Sequence, residues 1–302
     1  MIRYIVIHSY ATLAQVKSDV ITGQTADDEL YLQALYWATA RIDELVEYPF
    51  VPMSETRWFD ATRDNISRDG ELSLYYPLLS ITSVKDLNGA TALTAWDGTS
   101  SGLATATYIP EPYGTSPYWS IQRMASGVSA VWSQTYSRKA IAVEGVWGYH
   151  SDYANAWLTA VDTVADAGGL DASVTTVTVT DANANNAIGL ATRLSEGALI
   201  RINSEWMQVV DVSSNALTVI RGVRGTTAST HDNGDNVDVF QVDPNINRAC
   251  VRIVTYLEER RGRRDEVSLD NFGIRVQLPN DLAREVTNIL SMFPRRRRFW
   301  VV

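Results

Sequence analysis

The 302-residue chain has few of the residues that form disulfides or bind metals: one cysteine and three histidines. Cys250 has no second thiol to pair with, so disulfides are excluded, and its position in a predicted helix favours a buried, unreactive residue. His8, His150 and His231 are far apart and have no further ligands at metal spacing. The sequence therefore predicts no disulfide, no metal site and no cysteine chemistry.

Long apolar runs are also absent. None approaches the roughly 20 residues that cross a bilayer, and Ile5–Ile7 is too short for the apolar region of a signal peptide. Apolar residues make up 45% of the chain and charged residues 20%, as in ordinary soluble proteins. We expect a soluble chain that is not exported and is long enough for two domains with separate cores.

Sequence motifs of catalysis are missing too. There is no phosphate-binding glycine loop, no Gly-x-Ser-x-Gly elbow and no His-Glu-x-x-His pair. The segment 221–226, Arg-Gly-Val-Arg-Gly-Thr, lies between alternating strands and not before a helix, so it predicts a tight turn. Asp60, Asp64 and Asp69 would suit an acid/base pair, but solvated turns have the same spacing. We predict a protein that is not an enzyme and has no cofactor.

Charge is distributed unevenly along the chain. Residues 1–247 carry 14 basic and 28 acidic residues, whereas residues 248–302 carry 12 basic and 7 acidic ones. The net charge of -9 therefore combines an acidic body with a basic C-terminal part. Such a division suggests a body that repels polyanions and a basic element that docks on an acidic partner surface.

Four helices are predicted outside residues 150–242. A capping box at Thr12–Gln15 starts a short helix that ends near Val20. A second helix, starting after Thr25, buries one stripe, and a third has Asp243 as its cap and Pro244 in its first turn. The third ends at Arg264, and the last begins near Pro279 and stops at Phe293-Pro294. The stripe of the second helix comprises Leu30, Leu35, Ala38, Ile42, Leu45 and Val46.

Between the second and third helices, period-two patterns predict strands. The strand that ends at Trp147-Gly148 is separated from the helix at Asp243 by about ninety residues, which indicates an inserted domain. The predicted strands before this gap form a small antiparallel sheet: Thr56–Phe59, Glu71–Tyr75, Ile81–Val84, Tyr108–Ile109, Trp119–Ile121 and Ala140–Val146.

The predicted fold class is α+β: a helical core with a small sheet, formed by residues 1–149 and 243–302, plus an inserted all-β barrel or sandwich at 150–242. The insertion has 4 basic and 11 acidic residues, so it is poorly suited to nucleic acid. It should open with a helical stretch near Ala154–Ala167. Its predicted strands are Val174–Val179, Ala198–Ile202, Glu205–Val212, Ala216–Ile220 and Val237–Gln241.

Six groups of residues follow one another along the chain: Tyr10–Ala14, Leu30–Val46 with Tyr48–Phe50, Thr56–Asp60, Leu72–Leu74 with Pro77–Val84, Ala142–Tyr149 and Asp243–Arg264. In this order they resemble the head–tail connector (adaptor, or head completion) proteins of tailed bacteriophages, and the resemblance covers residues 10–149 and 243–302. In that family a Gly-x-Trp-Gly-Tyr segment is followed almost directly by a helix that begins near a proline, which matches the helix from Asp243 here. Within the insertion, Gly197–Met207 and the residues up to Gly234 are similar to a small β module that recurs in phage tail and baseplate proteins.

The resemblance implies a structural virion protein of the neck, assembled in the bacterial cytoplasm. A dodecameric ring would sit beneath the portal, link the capsid vertex to the next neck or tail component (a stopper or tail terminator), and pass the genomic DNA without reading its sequence. It implies no membrane partner. The expected portal-docking residues are Arg295, Arg296, Arg297, Arg298, Phe299 and Trp300, with a second basic cluster at Arg260, Arg261, Arg263 and Arg264.

Two alternatives remain open. Aromatic side chains in the predicted sheet could line a sugar-binding face, which would make the chain a carbohydrate-binding tail or baseplate component. The other alternative is a cell-wall hydrolase carried in the virion. The aromatic residues in question are Trp58, Tyr75, Tyr76, Trp96, Trp119, Trp132 and Trp147.

Overall fold

A computed structural model of the chain describes residues 8–19, 28–133, 137–184, 193–261, 280–291 and 293. Two antiparallel sheets, one of seven and one of six strands, dominate these residues, which also form five α-helices. The predicted helical core with a small sheet is therefore wrong, because the described part of the chain is mainly β. None of its helices is long and apolar enough to span a bilayer.

The described residues divide into two compact units. The first combines the segments that end at Glu47 and begin at Asn155, and the second is Tyr48–Ala154. All α-helices but one belong to the first unit. The helices are α1 (Leu13–Asp19), α2 (Asp28–Val46), α3 (Ser100–Leu103), α4 (Pro244–Arg261) and α5 (Asn280–Ser291). The domain boundaries proposed from the sequence, with an insertion at 150–242, stay a prediction.

The capping box at the start of α1 is confirmed. The Thr12 amide donates to Gln15 Oε1 at 2.9 Å, and the Gln15 amide donates to Thr12 Oγ1 at 3.3 Å. These reciprocal bonds satisfy two backbone donors that a helix start would otherwise leave unpaired. The buried stripe of α2 is confirmed at Leu35, Ala38, Ile42 and Val46 but wrong at Leu45, which is exposed.

The seven-stranded sheet forms the second unit. Its main path has the order β1-β7-β2-β5-β4, with β3 paired to β2 and β6 to β5. Its strands are β1 (Met53–Phe59), β2 (Glu71–Asp86), β3 (Thr91–Ala92), β4 (Tyr108–Glu111), β5 (Tyr118–Ala125), β6 (Val128–Ser129) and β7 (Ile141–Trp147). One face of the sheet covers an apolar core that includes Leu72, Leu78, Ile121, Trp132 and Trp147.

The two strands predicted at Glu71–Tyr75 and Ile81–Val84 are one continuous strand. The proline at 77 suggested a turn, but the register of β2 against β5 shifts between Ser73 and Leu78. A bulge tolerates a proline because its amide is not needed for the ladder. The sheet is consequently larger than the sequence pattern indicated.

The six-stranded sheet belongs to the first unit and has the order β8-β13-β10-β11-β12-β9. Its outer strands meet, because an isolated antiparallel bridge joins Val164 to Val179, and the sheet closes on itself around an apolar core. The strands are β8 (Trp157–Thr163), β9 (Thr176–Thr178), β10 (Leu199–Ile202), β11 (Glu205–Ser213), β12 (Ala216–Ile220) and β13 (Asn236–Phe240).

The predicted helix near Ala154–Ala167 is wrong, because β8 occupies this stretch and pairs with β13. Alanine-rich composition favours a helix locally, but pairing in a sheet overrides such a weak preference. The register shifts at Val237–Val239, and the Ala160 amide donates to Asp238 Oδ1 at 2.9 Å.

The start of α1 contacts the loop before β10. The Leu13 amide donates to the Glu196 carbonyl at 3.0 Å, and the Ala14 amide donates to Ser195 Oγ at 3.2 Å. These bonds satisfy further amides of the first turn of α1. Gly197 makes the close approach possible, because a Cβ at this position would lie 3.1 Å from the Ala11 carbonyl oxygen.

We expect Gly197→Ala to lower the free energy of unfolding by about 1–3 kcal/mol, since φ at this position is +90° and the new methyl group would press on backbone. Urea unfolding provides the measurement. Gly234→Ala is the matched control: φ there is +88°, but nothing lies within 4 Å of the added Cβ. An equal loss in both variants would show that the contact with Ala11 is unimportant.

Candidate interaction surfaces

The basic residues expected to dock on a partner lie at or beyond the end of α4. Arg260 and Arg261 belong to the last turn of that helix, but their side chains are outside the described part of the chain. Arg263, Arg264 and the tail residues Arg295, Arg296, Arg297, Arg298, Phe299 and Trp300 also lie outside the described residues. Their role in docking stays a prediction.

The start of α4 is fixed as the sequence predicts. The Asn245 amide donates to Asp243 Oδ1 at 3.0 Å, and the Asn247 amide donates to the Asp243 carbonyl at 2.9 Å. Pro244 occupies the first helical position, where no amide hydrogen is needed. This buried cap fixes the first residue of α4.

One face of α4 packs against α2 and the segment before α1. Ile246, Ala249, Cys250 and Ile253 are fully buried there, and Asn247 Nδ2 donates to the Tyr10 carbonyl and to Gln15 Oε1, both at 2.9 Å. Burial raises the pKa of the Cys250 thiol to about 12. Cys250 is therefore a neutral core residue, in agreement with the sequence prediction.

The opposite side of α2 presents large apolar side chains to solvent. Tyr36 is 47% exposed and Trp37 40% exposed, whereas Leu45, at 39%, follows the buried Ala38 by seven positions and borders the buried stripe. Leu45 also lines a groove between α2 and α5, together with Val46, Thr287 and Leu290. Neighbouring exposed aromatic residues on one helix are typical of protein contact surfaces.

A buried polar cluster that the sequence did not predict joins β11 to the loop after β12. Arg221 binds both carboxylate oxygens of Glu205 at 2.7 Å, and His231 Nε2 lies 2.9 Å from Glu205 Oε2. The Gly222 amide donates at 3.0 Å and the Ser229 amide at 2.9 Å to the same carboxylate. All three side chains are almost completely buried.

Hydrogen bonding sets the charge of this cluster. Burial by itself would raise the pKa of Glu205, but the bonds from Arg221, the Ser229 amide, His231 and the Gly222 amide outweigh it and lower the pKa to about 2. Glu205 is therefore ionised at neutral pH. Its carboxylate holds the loop 221–231, which contains the predicted tight turn at Gly222–Gly225, against the sheet.

The cluster does not have the geometry of a nucleophilic triad. Ser229 Oγ lies 3.5 Å from His231 Nε2, the same nitrogen that faces Glu205, whereas a triad uses one ring nitrogen for each partner. Arg221 also donates to the backbone carbonyls of Asp171 and Val174. These contacts assign the cluster to loop anchoring.

The other residues weighed for chemistry are not brought together. In the described residues, no group of three or more His, Cys, Asp or Glu side chains is placed to hold a metal. Asp60 accepts the Lys139 amide at 2.8 Å and pairs with Arg138 at 3.3 Å. Asp64 and Asp69 accept hydrogen bonds through their backbone carbonyls.

The aromatic residues proposed for sugar binding do not share one face. Trp132 and Trp147 belong to the core of the seven-stranded sheet, Trp96 stacks on Tyr113 at 4.3 Å, and Trp58 is exposed on β1.

The chain matches no family model, no curated protein and no solved structure.

Proposed function

We propose that the chain is a structural virion protein, a head–tail connector that forms a ring beneath the portal and conducts genomic DNA without reading its sequence. The observation that carries the proposal is the ordered set of connector-like segments in the sequence, one of which begins a helix at Pro244. The proposal does not depend on the helical core that the structure contradicts, because the resemblance concerns individual segments of the sequence and not the fold as a whole.

Charge supports the same proposal. An acidic body beside a channel repels DNA and lets it slide, whereas the basic excess is confined to residues 248–302, at and after α4. The exposed aromatic residues of α2, Tyr36 and Trp37, add an apolar surface suited to contacts between proteins. In the described part of the chain, the buried cluster of Glu205, Arg221 and His231 anchors a loop.

The test is attachment to portal-bearing heads. Truncation after Pro294 removes the four arginines and the apolar end but keeps Phe293, which is buried. We expect it to abolish co-sedimentation with DNA-filled, tail-less heads while leaving folding intact, because a few buried Arg and Trp anchors contribute roughly 2 kcal/mol or more each. Replacing Arg295–Arg298 by lysine should weaken attachment less, because lysine keeps the charge but loses the bidentate geometry.

The control changes Arg63, Arg68 and Arg138 to lysine, since these arginines are exposed in the second unit. This variant should attach like the unmodified chain. Electron microscopy of the neck complex should show a closed ring with an axial hole. If the truncated chain attaches as well as the full chain, the docking surface lies outside the C-terminal tail. If no ring is seen on the heads, the connector proposal is refuted.

A further inference from the structure

Strand β1 is the least protected edge in the described sheets. The opposite edge strand, β4, has only four residues, contains Pro110 and is bridged to Ala95. The outer strands of the six-stranded sheet meet at Val164 and Val179. By contrast, β1 pairs with β7 over seven residues without a bulge, and no strand of the described residues lies on its other side.

Proteins usually protect such an edge with a lysine, a proline, a bulge or a covering segment. Within Met53–Phe59 there is no lysine, proline or bulge, and the two charged side chains that the strand carries, Glu55 and Arg57, pair with each other. Thr56 and Trp58 are exposed there, and 43% of Trp58 is accessible. An open, regular strand with an exposed tryptophan suits a partner that supplies another strand.

The sequence of β1 is complementary to itself. When two copies of the strand run antiparallel with Thr56 opposite Thr56, Glu55 lies opposite Arg57 in both directions and Met53 lies opposite Phe59. Opposite charges and apolar pairs at facing positions stabilise antiparallel strands, and a contact of this kind has two-fold symmetry. We propose that β1 forms a two-fold contact with β1 of a second copy of this chain.

The side chain of Arg57 is already positioned for such a contact. Its guanidinium lies between the rings of Tyr76 and Trp147, 4.4 and 4.5 Å from their centroids, and its Nε atom is 2.5 Å from Glu55 Oε1. Little side-chain entropy remains to be lost when a partner strand arrives. In the pair, each arginine lies between two glutamates, one from each strand.

This contact goes beyond the proposed function. A cyclic ring uses head-to-tail contacts, whereas the β1 contact joins copies in pairs, so it belongs to the free chain before attachment. The connector proposal is tested on heads and the β1 contact in solution. Either one can therefore fail without the other.

The experiment measures the dimer dissociation constant of the full chain by sedimentation equilibrium. Thr56→Lys and Thr56→Glu each place like charges face to face at the two-fold axis, and each should raise the dissociation constant by about five-fold or more. An equimolar mixture of the two variants pairs lysine with glutamate and should restore dimers of the wild-type strength. Thr82→Lys, at an exposed threonine on the interior strand β2, is the control and should change nothing.

Hydrogen exchange gives an independent measurement on the unmodified chain: amides of Met53–Phe59 should exchange more slowly at concentrations above the dissociation constant. A chain that stays monomeric at all accessible concentrations would overturn the proposal. So would dimers that are insensitive to both Thr56 variants, or a mixture that dimerises no better than its components.

Discussion

Replacing Glu205 by glutamine should lower the free energy of unfolding by about 3–5 kcal/mol, the usual cost of leaving one member of a buried ion pair without its partner. Arg221 would keep its charge in a site that is almost completely buried. The N–H groups of the new side-chain amide would also face other donors, because Arg221, Ser229 and Gly222 all donate to the carboxylate oxygens of Glu205. Urea unfolding followed by tryptophan fluorescence measures the loss.

The matched control is Asp238→Asn. Asp238 pairs with Arg201 in the same sheet, with Nη2 at 2.6 Å, but both side chains are partly accessible. Exposed pairs contribute about 1 kcal/mol or less, so the control should lose far less stability than Glu205→Gln. Equal losses would show that the Glu205 cluster has no special role.

The same carboxylate predicts a pH dependence. The pKa of Glu205 is about 2 in the folded chain and 4.5 for an ordinary glutamate, so the unfolded chain binds the proton more readily. The stabilisation is therefore complete above pH 4.5 and is lost as the pH falls towards 2. A shift of this size corresponds to about 3 kcal/mol. The difference in the free energy of unfolding between the unmodified chain and Glu205→Gln should shrink as the pH falls through this range. A constant difference would contradict the lowered pKa of Glu205.

Local signals in the sequence predicted local structure well. The bonds of Thr12 and Gln15 and the cap at Asp243 involve residues at most four positions apart, so their pattern is visible in the chain itself. Strands such as Glu205–Ser213 and Ala216–Ile220 were also found, because a short turn separates two alternating runs.

Long-range pairing was not predictable in the same way. The stretch Trp157–Thr163 becomes a strand only because β13, more than seventy residues later, pairs with it. Arg221 and His231 follow Glu205 by 16 and 26 positions, and nothing in the local sequence pattern links the three residues. The sequence therefore predicted too much helix and too little sheet, because the strands pair with partners that are distant in the sequence.

Gly145 lies in the connector-like segment 145–149, and its position in the sheet gives the motif a physical reason. It belongs to β7, which pairs with β1 on one side and β2 on the other. A Cβ at this position would lie 2.2 Å from the Ser80 carbonyl oxygen and 3.0 Å from Leu78 Cδ1. The first contact is with backbone, which a side-chain rotation cannot relieve.

We therefore expect Gly145→Ala to lower the free energy of unfolding by about 3 kcal/mol or more, at the upper end of overpacking effects, because the added methyl group forces β2 and β7 apart at the centre of the seven-stranded sheet. Thermal and urea unfolding followed by circular dichroism provide the measurement. Gly168→Ala is the control, since a Cβ there meets nothing within 4 Å and should leave stability nearly unchanged. If Gly145→Ala unfolds at the same urea concentration as the control, the close approach of β7 to Ser80 is not a requirement of the fold, and the glycine of the motif needs another explanation.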